Sequence, residues 1–253
     1  MADLRIGCVQ YLNSKPLIHG YEGPVIFDHP SGLARDLIAG QLDVALVPTF
    51  EALRTPHYTL ANDVGIACDG AVYSVFLAYR GPLTELRRVA LDPASLTSVH
   101  LLQVLLREYH GLRPELLPLS AFPQEADAAL IIGNQAIEFR QQDKDGYQIL
   151  DLGEEWKRCT GLPFVFAPWL MRPDLPHAAE VAGDLRALKD YGLAHLDEII
   201  EAEPRDPAFT RRYLTEHIRF KLGEPEKAGI AKYRELLAKH GFITDAQTPL
   251  RFA

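Results

Sequence analysis

The chain has 253 residues, 47% of them hydrophobic and 24% charged, with a formal net charge of -8. This is ordinary globular composition, long enough for one large core or two modest ones. The acidic balance argues against non-specific binding to nucleic acid or anionic membrane, both of which want a basic surface, while a few local donors still admit a small anion.

The opening Met1 to Ile6 runs directly into a strand-like segment without the basic and apolar regions of a secretory leader. No stretch reaches the roughly 18 apolar residues of a membrane span. Cys8, Cys68 and Cys159 are far apart and form no CxxC pair, so neither a disulfide framework nor a zinc site is expected. The compartment expected from these features is the cytoplasm.

Strand and helix signals alternate through the first half, the α/β pattern. Leu4 to Val9 reads as a strand, followed by a turn over Tyr11 to Ser14 and a helix opening near Pro16. Val25 to Phe27 is a second strand; Ser31 has cap chemistry for a helix through Leu33, Leu37 and Ile38, which Gly40 ends. Asp43 to Val47 reads as a buried strand, and Ala71 to Arg80 as a long β-branched and aromatic one stopped by Gly81-Pro82. Val89 to Leu91 opens the next unit, with a helix from about Val99 to Tyr109 and a strand from Ala126 to Ile132. Leu162 to Met171 is a second long extended run, whose prolines argue for an edge or a crossing. Helical pattern then covers Ala178 to Ala202, Pro207 to Leu222 and Pro225 to His240.

Two long strands at about one-third and two-thirds of the chain suggest one lobe inserted in another. The expected division is residues 1–80 with about 172–253 in one lobe and about 81–171 in the other. A ligand cleft would lie between them, closing on a hinge near Arg80 and Leu162. Pattern alone admits equally a single doubly wound domain with a helical tail.

Two turns have the build of helix N-termini, whose unpaired N–H groups and positive dipole ends suit anions: Asn13-Ser14, and Ser95 to Ser98. Most such residues are simple caps. Ser74 is a poor strand former inside the long run from Ala71, with no turn to explain it. Asn134 follows a strand at its carboxyl end, where α/β sheets bind ligands, though Gly133-Asn134 also suits a plain turn. The nine histidines show no HExxH spacing, and no GxSxG turn or phosphate-binding loop occurs. Lys15 reads as a solvated residue rather than a Schiff-base lysine. Tyr73, Phe76, Phe164, Phe166 and Trp169 could surround a ring in the cleft, though aromatics on long strands are more often core.

The segment RIGCVQYLNSKPL, Arg5 to Leu17, resembles the opening of chorismate dehydratases, and four further blocks agree in order. These are Gly40 to Pro48 (GQLDVALVP), Asp69 to Val75 (DGAVYSV), Ser95 to Val99 (SLTSV), and Asp151 to Trp156 (DLGEEW) with Gly161 to Phe166 (GLPFVF). Cys68 and Asn134 depart from the Ser and Asp expected there, and Pro48 to Glu51 is an unusual form of its block. The resemblance implies a two-lobed α/β fold like type II periplasmic binding proteins, with a helical C-terminal region. It implies loss of water from chorismate to give 3-[(1-carboxyvinyl)oxy]benzoate in the futalosine route to menaquinone, with no metal or cofactor. It implies catalytic roles for Asn13 and Ser74 and substrate-binding roles for Ser14, Thr97, Ser98 and Asn134. Two other functions share the fold: a non-catalytic binding protein for small anions, and the sister dihydroxynaphthoate synthase.

Overall fold

The computed structural model describes residues 4–55, 57–92, 95–142 and 146–253. The chain begins with β1 (Ile6–Cys8), a 3-10 turn (Leu12–Leu17), β2 (Val25–Phe27), α1 (Pro30–Ile38), β3 (Val44–Leu46), α2 (Thr49–Arg54) and β4 (Thr59–Cys68). A second group follows: β5 (Val75–Tyr79), β6 (Arg88–Leu91), α3 (Leu96–Tyr109), β7 (Glu115–Pro118), β8 (Ala128–Ile132), α4 (Gly133–Gln141), β9 (Gln148–Asp151) and α5 (Leu152–Thr160). The chain then returns through β10 (Phe164–Met171) to α6 (Ala178–Ala194), α7 (Leu196–Glu201), α8 (Pro207–Arg212), a π-helical turn (Tyr213–His217), α9 (Glu224–Lys239) and β11 (Arg251–Phe252).

The strands form two sheets, one of six in the order β11-β4-β10-β3-β1-β2 and one of five in the order β7-β6-β8-β5-β9. Each sheet with its helices is one lobe. In the first, β1 runs parallel to β2 and β3, and β10 lies antiparallel between β3 and β4. In the second, β5 is antiparallel to β8 and β9 while β6 is parallel to β7 and β8. Fully apolar β3 is buried along its length, as a strand covered on both faces requires.

Sheet membership moves the expected division. β5, inside the 1–80 segment, pairs in the second sheet, and β10, inside the 81–171 segment, pairs in the first. The chain therefore crosses between lobes at residues 69–74 and returns after α5. Leu162 lies in the return crossing, whereas Arg80 follows the far end of β5, within the second lobe. Residues 71–74 are crossing rather than strand.

Other local readings change for identifiable reasons. The first predicted helix is only the 3-10 turn, with Pro16 inside it. Ser31 is within α1, which starts at Pro30 with no side-chain cap bond. β10 is interior, not an edge; Pro168 is accommodated because the register with β4 shifts around it, and its carbonyl accepts from Val47 N–H at 3.2 Å.

Behind the return crossing, α5, β10 and α9 share an aromatic core. Trp156 packs edge-on to Phe164 at 5.1 Å, and Phe164 to Tyr233 at 5.0 Å. Trp156 and Tyr233 are fully buried, and the indole N–H donates to Pro163 O at 3.1 Å. Among the described residues no helix is long and apolar enough to cross a membrane.

Candidate active site

The crossings position the site. Asp151, at the end of β9, caps α5 by accepting from the N–H groups of Gly153 and Glu154 at 3.0 and 3.2 Å. The same carboxylate accepts from Val72 and Tyr73 N–H in the other crossing, at 3.0 and 2.8 Å, and pairs with Arg140 at 3.0 Å. Tyr73 has φ +67°, a conformation that a non-glycine residue keeps only when its surroundings hold it. They do: Arg140 lies over its ring at 4.5 Å, and Phe209 and His217 flank it at 5.2 and 5.3 Å. Gly153 is needed because a Cβ there would come within 2.5 Å of Cys68 Sγ and 2.6 Å of Gly70 O. One buried carboxylate thus binds both crossings, and Ser74 follows directly from this fixed backbone.

Between the sheets lies a cleft open to solvent. Val9, Tyr11 and Asn13 line it from β1 and the following turn, and Leu46, Val47 and Pro48 from the end of β3. Ile66, Phe166 and Ala167 form the wall, and Val72, Ser74 and Val75 come from the crossing. The starts of α3 (Ser95 to Ser98) and α4 (Gly133) close it from the second lobe. Among the described residues no Asp, Glu, Lys, Arg or His side chain lines this part of the cleft, while His29 and Asp92 stand at its mouth with Asn134. An anion there meets neutral donors, chief among them the first-turn N–H groups of α3, which no helix carbonyl can satisfy.

Four of the six expected residues meet in this cleft: Asn13, Ser74, Thr97 and Ser98. The Thr97 oxygen accepts from Phe50 N–H at 3.1 Å, leaving its own O–H to donate. Ser74 is fully buried, and its hydroxyl lies 2.8 Å from the phenol oxygen of Tyr213. Burial pushes the Tyr213 phenol up, and its bonds to Ser74 and then Asn13 partly offset that. The Asn13 Oδ1 is buried without any hydrogen-bond partner among the described residues. Gly133, with φ +61°, lies against Tyr11, where a Cβ would meet the ring at 2.8 Å.

Two expected residues are elsewhere. The Ser14 hydroxyl faces the backbone, 2.6 Å from Val9 O and 2.8 Å from Tyr11 O, and holds the turn that carries Asn13. Asn134 lies beside the cleft mouth, where its Oδ1 accepts from Leu12 N–H at 3.2 Å and its amide donates to Gln10 O at 3.4 Å. It therefore ties α4 of one lobe to the Asn13 turn of the other. Lys15 is paired with Glu203 at 2.5 Å. Of the five aromatics considered, Phe166 lines the cleft, while Tyr11 was not anticipated.

The comparisons decide the family. A family described as menaquinone biosynthesis matches residues 4–239. The chorismate dehydratase of Thermus thermophilus is 34% identical, over 92% of this chain and 94% of its own length. The chain belongs to the chorismate dehydratase family. The chorismate dehydratase of Campylobacter jejuni is 31% identical over 62% of the chain and 58% of its own length. Among solved structures, protein AF1704 from Archaeoglobus fulgidus superimposes with a TM-score of 0.74 at 18% identity, covering 95% of this chain and 98% of its own. The periplasmic aliphatic sulphonate-binding protein SsuA of Escherichia coli gives 0.66 at 15% identity, with 96% and 89% covered. The two-lobed fold is that of periplasmic binding proteins.

Membership of the chorismate dehydratase family does not make Tyr213 visible in the sequence. It lies 139 residues from Ser74 in the chain, in a helical segment without a motif. The only local signal is the segment PAFTRRYLTEH, whose aromatic spacing reads as an ordinary helix face.

Proposed function

We propose that the protein is a chorismate dehydratase of the futalosine route, acting in the cytoplasm on free chorismate. The observation that carries this reading is the pairing of Asn13 and Ser74 in a cleft lined by neutral groups, opposite the open N-terminus of α3. Three free cysteines, two of them buried, suit a reducing compartment.

Chorismate brings two carboxylates. The ring carboxylate suits the α3 N-terminus, where first-turn N–H groups with the hydroxyls of Thr97 and Ser98 would hold it. Holding charge on that carboxylate acidifies the ring C–H beside the enolpyruvyl ether, because the intervening double bond is conjugated to it. That C–H bond breaks, its electrons form the new ring double bond, and the neighbouring C–O bond breaks to release the hydroxyl. The substrate's own second carboxylate takes the proton and passes it to the departing hydroxyl, which leaves as water. Ser74 donates to the departing oxygen, and the free Asn13 Oδ1 orients the substrate's hydroxyl hydrogen. The enzyme's contribution is alignment and fixed dipoles, and aromatisation drives the step.

The test is incubation of purified protein with chorismate in the presence of a chelator, followed by mass spectrometry. The expected product has lost one water and keeps the enolpyruvyl group. Chorismate bound and recovered unchanged would favour the binding-protein reading instead.

A further inference from the structure

Tyr213 does not line the cleft, yet its phenol oxygen lies 2.8 Å from the hydroxyl of Ser74, one of the two cleft residues to which the reaction is assigned. A hydroxyl has one hydrogen to give and two lone pairs to receive with. Either hydroxyl of the Ser74–Tyr213 pair, 2.8 Å apart, can donate; the phenol is the stronger acid of the two and so the better donor to Ser74 Oγ. That leaves the Ser74 hydrogen directed away from Tyr213, into the cleft.

We infer that Tyr213 is a positioning residue that fixes the hydrogen-bond polarity of Ser74, setting its hydroxyl as a donor toward the substrate. The inference rests on the proposed dehydration. The residue is held for this role. It opens a π-helical turn, a rare element that recurs at functional sites, and is 1% exposed. At the other end of the same turn, His217 Nδ1 lies 2.9 Å from Ala71 O. One turn of the C-terminal segment thus grips the crossing on both sides of Tyr73. Without the phenol hydroxyl, the Ser74 hydroxyl could rotate and present its lone pair rather than its hydrogen to the substrate.

The test compares wild-type protein with Tyr213→Phe and with p-aminophenylalanine incorporated at position 213, which restores an N–H donor at the same point. Wild-type turnover of chorismate checks the proposed function separately, and without it both readings fall. With wild type active, Tyr213→Phe is expected to lower kcat by about tenfold or more, with KM changed by no more than about threefold, as loss of a transition-state hydrogen bond requires. The p-amino variant is expected to recover most of that loss, and Tyr213→Phe made in Ser74→Ala should add little further. Wild-type kinetics in Tyr213→Phe would overturn the inference. So would equal loss in the Phe and p-amino variants, or a loss carried by KM, because each marks a merely structural role. Should Tyr213→Phe fail to fold, the p-amino variant decides alone: folded with less than about a tenth of wild-type kcat, it would overturn the inference.

Discussion

Asp151 and Tyr73, 78 residues apart, are joined by a 2.8 Å hydrogen bond from the Tyr73 N–H to the Asp151 carboxylate, and through it the outgoing and returning crossings share one anchor. Five donors converge on that carboxylate, four backbone N–H groups and Arg140. Replacing it leaves a partly buried arginine and the crossing amides unpaired. Asp151→Ala is expected to cost roughly 3 kcal/mol or more, the scale of breaking a buried pair. Asp151→Asn should cost less, about 1–3 kcal/mol, because one oxygen still accepts. Denaturant unfolding measures both, and a loss under about 0.5 kcal/mol for Asp151→Ala would show that the anchor is dispensable.

The clasp at the cleft mouth predicts a different kinetic signature. Asn134→Ala leaves the Leu12 N–H without its acceptor and removes the contact that joins the lobes there. A loss of about 1 kcal/mol from the ligand-embracing state corresponds to roughly a fivefold rise in KM. Because Asn134 is outside the reacting pair, kcat should stay within about twofold. Steady-state kinetics separate this from a catalytic role, for which kcat would fall.

Activity should vary little with pH near neutrality. No described residue lining the cleft around Asn13 and Ser74 carries a carboxylate, imidazole, amine or guanidinium. His100, stacked 3.6 Å from Phe50 behind the α3 N-terminus, has its pKa lowered first by burial and so stays neutral. We expect kcat to be flat between about pH 6 and 8.5, and no single His→Ala variant to lose most activity. A limb near the ordinary histidine pKa that vanishes in one such variant would require a protein base.

Stability should respond to acid through Asp43. Its carboxylate is held well below the usual range, chiefly by hydrogen bonds from Arg5, with Arg172 assisting. A depressed folded-state pKa stabilises the fold fully above the unfolded value, about 3.9, and loses that contribution as pH falls below it. The stability difference between wild type and Asp43→Asn should therefore be constant above about pH 5 and shrink as pH drops below about 4. Chemical unfolding at a series of pH values reads this, and a difference that grows on acidification would contradict it.

Much of the first lobe is legible because its elements are short and apolar: β1, β2 and β3 lie where hydrophobic runs meet turn residues, and α9 where helical spacing is sustained. β4 was not legible. Its sequence TLANDVGIAC carries Asn62, Asp63 and Gly65, which are poor strand formers. They are tolerated because the C-terminal segment supplies carbonyls: Asn62 N–H donates to Ala253 O, Asp63 N–H to Leu222 O and Gly65 N–H to Phe220 O. In the site, neighbouring residues diverged. Asn13 faces the cleft while Ser14, equally polar, faces the backbone, and composition cannot tell which side of a 3-10 turn a hydroxyl takes. Tyr213 depends on a long-range meeting that no local pattern encodes.

The central claim, that this cleft dehydrates chorismate with neutral groups, is tested most directly by measuring product formation with wild type and Asn13→Ala side by side in chelator. Wild type should convert chorismate to a single aromatic enolpyruvyl ether. Asn13→Ala should bind chorismate within about tenfold of wild type while turning it over roughly a hundredfold or more slowly, as expected when both an orienting contact and its partner's placement are lost. Chorismate left unchanged by the wild type, or wild-type rates from Asn13→Ala, would contradict the account.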